Sequence, residues 1–167
     1  MTVTGPGGGL ELYWDWGSTA LKGEYIVAKL DGLKMGTLQG DFDIAGGYVS
    51  VSHCLTGEKF VYNKGKPGRI IPNKRFEPGS GGRGAFQIGA RYEFLKADQS
   101  LLDLGYVDSS KYTDRASGVT LGINWYPNEM VRFMLNYSHI TFDDPVTVNG
   151  EGIDDEDVVL TRFQLVF

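Results

Sequence analysis

Positively charged side chains are concentrated in one irregular segment, residues 56–82. This basic segment carries six lysines and arginines against Glu58 and Glu77, so its net charge is +4. Such a cluster attracts anions, and a low-dielectric channel would focus its field on them. The candidate residues for an anion pathway are Lys59, Lys64, Lys66, Arg69, Lys74 and Arg75.

A glycine-rich stretch near the end of the basic segment, Gly79–Gly84, matches the GxGxxG pattern of dinucleotide-binding sites. That fingerprint requires a strand before the glycines and a helix after them. An alternating pattern typical of a strand follows here instead. We therefore interpret the stretch as a flexible glycine hinge rather than a nucleotide site.

Acidic residues cluster between positions 143 and 157, and Ca²⁺ prefers carboxylate oxygens as ligands. Their spacing matches no calcium-binding loop, so a solvated acidic loop is favoured over a calcium site. A cation bridge from this loop to lipopolysaccharide phosphates is a hypothesis.

The single cysteine, Cys54, excludes an internal disulfide and a cysteine-based metal site. Since no nucleophile set has a suitable spacing, we expect no enzyme, no metal and no cofactor.

The composition narrows the class of protein. The chain has 167 residues, of which 41% are hydrophobic, 24 are glycine and 13% are aromatic. These values exclude disorder, and no apolar run reaches the roughly 18 residues of a membrane-spanning helix. The net charge of −5 argues against nucleic acid as a partner. Residues 1–5 carry no signal-peptide pattern, which indicates a cytosolic protein, a mature protein or a fragment.

Alternation of apolar and polar residues with a period of two runs through most of the chain, and it indicates strands. The sequence therefore predicts an all-β, antiparallel meander in a single domain over residues 1–167. The seven predicted strands lie at about 9–16, 19–30, 46–55, 84–95, 116–126, 130–142 and 157–167.

Alternation alone does not say which face points inward. A soluble sandwich or lipocalin-like ligand-binding barrel buries the apolar face, whereas a membrane barrel turns it toward lipid. Three features favour lipid: aromatic residues near strand ends, charged and small residues on the opposite face, and connections that alternate between short and long. The predicted fold is therefore a transmembrane β-barrel segment.

The basic segment breaks this rhythm, because it is long yet lies on the side of the short turns. Long irregular connections are functional or disordered more often than not. In one interpretation it is a solvated periplasmic turn. In the other it folds back into the lumen and gives it a positive field.

Several motifs resemble the phosphate-selective porin O and P family, in the family's order and over most of residues 8–167. They include Ser52–Glu58 followed by the basic segment, then Leu121–Tyr126, and Val131–Tyr137. The closing Arg162–Phe167 also fits. Its terminal phenylalanine, with apolar residues two and four positions earlier, resembles the signal read by the outer-membrane assembly machinery; these residues are Phe163, Leu165 and Phe167.

The resemblance implies a sixteen-stranded, homotrimeric porin of the bacterial outer membrane with a water-filled channel that prefers anions such as phosphate. Seven strands cannot close such a barrel, so we interpret the chain as its C-terminal part. Arginine suits bidentate phosphate contacts, and the strand candidates are Arg91, Arg132 and Arg162. The expected partners are small anions, outer-membrane lipid, lipopolysaccharide and the assembly machinery. A structural outer-membrane barrel without transport is the remaining alternative.

Overall fold

The computed structural model describes residues 6–35, 38–63, 66–100, 108 and 112–166. Seven strands form one antiparallel sheet in the order β1-β2-β3-β6-β7-β8-β9, so each strand pairs with its neighbour along the chain. A separate two-stranded hairpin, β4-β5, lies inside the basic segment. The strands are β1 Gly7–Trp16, β2 Thr19–Met35, β3 Leu38–Cys54, β4 Tyr62–Asn63, β5 Lys66–Pro67, β6 Ala85–Ala97, β7 Arg115–Tyr126, β8 Val131–Val148 and β9 Glu151–Leu165.

Two tight turns join long strands with little irregular chain between them. Gly17, with a φ of 59°, turns the chain between β1 and β2. Asn149 and Gly150, with φ values of 53° and 88°, turn it between β8 and β9. Positive φ at both central residues is typical of type I′ hairpin turns, and Asn-Gly supplies it with little strain, whereas glycine at the first central position, as at Gly17, is typical of type II′ turns.

The strands extend farther than the sequence predicted on the side of the sheet opposite the β1–β2 and β7–β8 turns. The expected polar connections at 31–45 and 143–156 are wrong, because β2, β3, β8 and β9 continue through most of them. The continuation of β3 does alternate, with Phe42 and Ile44 against Asp41 and Asp43. Its apolar residues, however, lie on the face opposite to that of Val49 and Val51, so the pattern of the predicted strand does not extend into it. Register shifts between Leu30 and Leu33 and between Thr141 and Val146 further interrupt the pattern.

The strand register gathers the apolar residues of all seven strands on one face of the sheet, here called the apolar face. Phe86 pairs with Trp125, for example, and Ala90 with Leu121. Leu121 is 54% exposed and Phe163 is 56% exposed. These side chains do not meet in a dry centre, which agrees with the expected transmembrane barrel segment and not with a soluble sandwich.

The opposite side, the polar face, carries a small buried cluster beneath the basic segment. Cys54, Ala85 and Tyr126 come from the strands, and Ile70 comes from the segment, with Phe60 packed against them. Within the described ranges, no helix has the length and apolar character needed to cross a bilayer.

Candidate functional site

The basic segment lies across the polar face of the sheet. Tyr62 stacks on Tyr13 of β1 with ring centroids 4.4 Å apart, and Tyr13 is on the polar face because it pairs with Lys22. Farther along, Ile70 packs in the cluster with Tyr126 of β7. The segment therefore spans the sheet from its first strand to its fifth.

A buried carboxylate fixes the segment to the sheet. Glu58 is only 3% exposed and accepts a hydrogen bond from the backbone N–H of Asn73 at 3.0 Å. It also accepts one from the hydroxyl of Thr56. That hydroxyl in turn accepts the backbone N–H of Phe86, the second residue of β6, at 3.0 Å. Because buried polar groups are costly when unpaired, this chain of bonds holds the segment in one place.

The segment and the sheet together line an open cavity of about 320 Å³ on the polar face. Arg69 of the segment lines it together with Lys22 of β2 and Arg132 of β8. The cavity thus brings three cationic residues from distant parts of the chain together. Its other polar lining residues include Gln87, Tyr126, Glu129 and Gln164.

Arg132 is oriented by a network of neutral groups. Its guanidinium Nε and Nη2 donate to Asn124 Oδ1 at 3.3 and 3.1 Å and lie over the ring of Tyr126. Asn124 and Tyr126 both donate to Gln87 Oε1, at 3.1 and 2.7 Å. The network positions Arg132 without neutralising it, and leaves three of its five N–H donors for other acceptors.

The charge of the cavity is not cancelled by acids. Among the residues that the structure describes, Lys22, Arg69 and Arg132 have no carboxylate within 4.0 Å. Glu129 also lines the cavity, but it is already paired with Arg75 of the basic segment. Arg75 therefore compensates the charge of Glu129, which would otherwise oppose an entering anion, through Oε1, while Glu129 Oε2 is buried without a hydrogen-bond partner among the described residues.

The remaining predicted residues are placed elsewhere. Arg91 pairs with Glu93 at 2.6 Å and lies 4.0 Å from the centroid of the Tyr48 ring, so its charge is balanced. Arg162 is exposed on the polar face, opposite Met134. Lys59 and Lys74 are exposed and do not line the cavity. Lys64 lies outside the described residues, and Lys66 is described by its backbone alone, in β5.

The sequence did not identify Lys22 as a site residue, nor the orienting pair Gln87 and Asn124. The alternation of the strands places all three residues on the polar face, and this much could be predicted from the sequence. Their proximity to Arg69 depends on how the basic segment lies across the sheet, which periodicity does not encode.

The apolar band runs obliquely across the sheet. Moving along β9 away from its C-terminal end, the first charged residue of the apolar face is Asp157. The residues paired with it strand by strand form a cross-strand row, and this row reaches β2 at Gly23. On β2 the first such residue is Lys29, six positions farther along. Six residues span ~20 Å and five strand spacings span ~24 Å. The charge boundary is therefore inclined by ~40°, the strand tilt of membrane barrels.

The opposite edge of the band shifts in the same direction and is aromatic. Trp16 ends β1, and its cross-strand row reaches β9 at Thr161. The apolar face of β9 continues four positions farther, to Leu165, so this edge of the band is also inclined. Trp125 lies 6.1 Å from Phe86 and 5.3 Å from Phe133, centroid to centroid. Aromatic residues concentrate at the membrane–water interface.

The residues of the predicted assembly signal lie at this aromatic edge. Phe163 contacts Phe133 with ring centroids 5.0 Å apart, and Leu165 pairs with Val131 at the end of β9. Both are exposed on the apolar face. Phe167 lies outside the described residues, and the recognition of this signal stays a prediction.

The observed features define a class of protein: an exposed apolar band with an aromatic edge, antiparallel meander strands, and a polar face crossed by the basic segment. The chain is a segment of a porin-type outer-membrane β-barrel.

Comparison with known proteins gives the family. The family model described as "Phosphate-selective porin O and P" matches residues 3–167, so the chain belongs to the phosphate-selective porin O and P family. This confirms the resemblance seen in the sequence motifs.

Two relatives show how much of a longer protein the chain represents. Porin O of Pseudomonas aeruginosa is 27% identical over 162 residues, which cover 95% of this chain and 34% of that protein. An uncharacterized protein of Caulobacter vibrioides is 31% identical over 123 residues, which cover 73% of this chain and 23% of that protein. The chain thus spans about a third or less of the length of the relatives it matches.

Proposed function

We propose that this chain forms part of a closed outer-membrane barrel through which small anions, such as phosphate, diffuse passively. The observation that supports the proposal most strongly is the cavity where Lys22, Arg69 and Arg132 meet without a neutralising acid. Passage of this kind needs no catalytic residue, so the protein acts as a channel and not as an enzyme.

The selectivity arises from unbalanced charge near the pathway. The polar face of the strands carries as many acids as bases near mid-sheet, and pairs such as Arg91–Glu93 contribute little net field. The basic segment adds Arg69 and neutralises Glu129 through Arg75. An anion entering the cavity gains Coulomb energy there, while the open, water-accessible wall keeps binding weak enough for release.

The barrel is completed by further strands. β1 and β9 have unpaired edges in this sheet, and an open edge is unstable in hydrocarbon because its N–H and C=O groups have no partner. We propose that additional strands of the same protein close a sixteen-stranded barrel, which assembles as a homotrimer. Its partners are outer-membrane lipid, lipopolysaccharide and the outer-membrane assembly machinery.

The test is the ion selectivity of the complete porin in a planar bilayer. The reversal potential in a KCl gradient gives the ratio of anion to cation permeability. We expect Arg69→Gln and Arg132→Gln each to lower this ratio about fivefold, since one unit charge at contact distance in water is worth about 1 kcal/mol. Lys96→Gln is the matched control, because Lys96 lies on the apolar face in the row of Ala45 and Arg115.

Two results would contradict the proposal. An unchanged ratio in the double variant Arg69→Gln, Arg132→Gln would show that the cavity is not on the anion pathway. A correctly folded wild-type barrel without measurable conductance would favour a structural role instead.

A further inference from the structure

The glycine stretch Gly79–Gly84 forms a defined turn rather than a hinge. Glu77 and Gly82 form an antiparallel bridge, and the Ser80 hydroxyl donates to the carbonyl of Glu77 at 3.1 Å. A Cβ on Gly82 would lie 2.1 Å from the Arg75 carbonyl oxygen. The glycines are therefore needed so that the chain can close on itself here, and not to bind a nucleotide.

This turn is attached to the aromatic edge of the apolar face. Phe76 contacts Trp125 edge to face, with centroids 5.3 Å apart, and its N–H donates to the Pro127 carbonyl at 2.8 Å. The indole N–H of Trp125 donates to the Arg83 carbonyl at 2.8 Å. Residues 74–84, which we call the lip, thus pass around the strand ends from the polar face to the lipid side.

The lip combines an exposed aromatic ring with free cations. Phe76 is 45% exposed, and it contacts Trp125 of the aromatic edge. Lys74 and Arg83 are exposed and, within the described part of the chain, have no ion-pair partner. Glu77 is the one acid of the lip, and Arg75 is occupied by Glu129, so the free charge of the lip is positive.

We propose that the lip is a binding surface for the headgroups of anionic phospholipids. Phe76 inserts beside Trp125 at the interface, where aromatic rings are favoured, and Lys74 and Arg83 bind lipid phosphate. Charge complementarity selects an anionic lipid over a zwitterionic one. Because the lip is continuous with the segment that carries Arg69, lipid binding would also hold the cavity-lining part of the segment in place. This inference rests on the barrel orientation of the proposed function.

The experiment uses the complete porin, made cysteine-free with Cys54→Ala in this chain, and reconstituted in phosphatidylethanolamine vesicles containing phosphatidylglycerol. A bimane label is attached at Pro78→Cys, an exposed position of the lip. In each sample the acyl chains of one lipid class alone are brominated, so quenching of the label reports contact with that class. We expect brominated phosphatidylglycerol to quench the label more than brominated phosphatidylethanolamine at equal mole fraction. Each Lys or Arg near an anionic surface contributes about a fivefold preference in binding, so Lys74→Gln, Arg83→Gln should remove most of the preference for phosphatidylglycerol and bring the quenching ratio close to one.

Two controls separate the possible outcomes. Lys59→Gln removes an exposed cation of the same segment outside the lip and should leave the ratio unchanged. A label at Val119→Cys, on the apolar face of β7, should be quenched in every sample; if it is not, the barrel orientation fails rather than the lip. With Val119 quenched, a wild-type ratio of one or an unquenched label at position 78 would overturn the proposal.

Discussion

The most discriminating mutation pair places the same residue on the two faces of the sheet. Leu121 and Leu160 are 54% and 56% exposed, and they lie in neighbouring cross-strand rows, since Gly122 pairs with Asn136 and Asn136 with Leu160. Leu121 belongs to the apolar face and Leu160 to the polar face. By side-chain type and exposure the two substitutions Leu121→Arg and Leu160→Arg are equivalent, so only the solvent on each side distinguishes them.

The depth of Leu121 sets the size of the effect. It lies five residues from Tyr126 at the strand end, which is ~17 Å along the strand and ~13 Å in height at a tilt of ~40°. In an apolar band ~25 Å tall this is the midplane, where an outward arginine costs about 2–4 kcal/mol. Leu160→Arg should remain within about 0.5 kcal/mol of wild type, as exposed substitutions in water do.

The assay is reversible folding of the complete porin into lipid vesicles, followed by tryptophan fluorescence over a urea gradient. The two variants should differ in free energy of unfolding by about 2 kcal/mol or more. If Leu160→Arg costs as much as Leu121→Arg, the polar face does not line water and the assignment of the two faces is refuted.

Two further variants probe how the basic segment is held. Glu58→Ala should lower the free energy of unfolding by about 1–3 kcal/mol, because it leaves buried donors unpaired. Hydrogen exchange at the Asn73 amide should accelerate in this variant and not in Glu77→Ala, which changes an exposed acid. An Asn73 amide that stays protected in Glu58→Ala would refute the anchoring role. Gly84→Ala should destabilise the protein by at least about 1–2 kcal/mol, since Gly84 has a φ of 74° and its Cβ would lie 2.4 Å from the Tyr126 carbonyl oxygen. Thermal unfolding in detergent measures this loss, with Gly8→Ala in open space as its control, and equal midpoints for the two variants would contradict the close-approach argument.

Much of the fold follows from the period-two pattern, because side chains on a strand alternate between two solvents. That pattern predicted the central part of each strand and grouped Phe86, Leu121 and Phe163 on one face. It stopped near Leu30 and Phe142, where charged residues such as Lys29, Asp43 and Asp157 take positions on the apolar face. The hairpin between β8 and β9 was nonetheless encoded in Asn149-Gly150.

The candidate site was less accessible to sequence analysis. Arg69 and Arg132 were both identified by charge and residue type, but nothing local to either residue indicated that they share a cavity. Their meeting depends on Glu58 and Ile70, which fix the basic segment across the sheet through contacts distant in sequence. Arg75 and Arg91 illustrate the converse, since each is paired with an acid that only the fold brings near.

The orientation of the two faces is tested most directly by a spin-label scan of β7, Arg115–Tyr126, in the complete porin in lipid vesicles. The labels at Ser117, Val119, Leu121 and Ile123 should be accessible to oxygen, which is enriched in lipid. Those at Gly118, Thr120 and Gly122 should be accessible to a water-soluble nickel complex. An alternation of the opposite phase, or no alternation along the strand, would contradict a barrel with its apolar face in lipid and its cationic cavity in water.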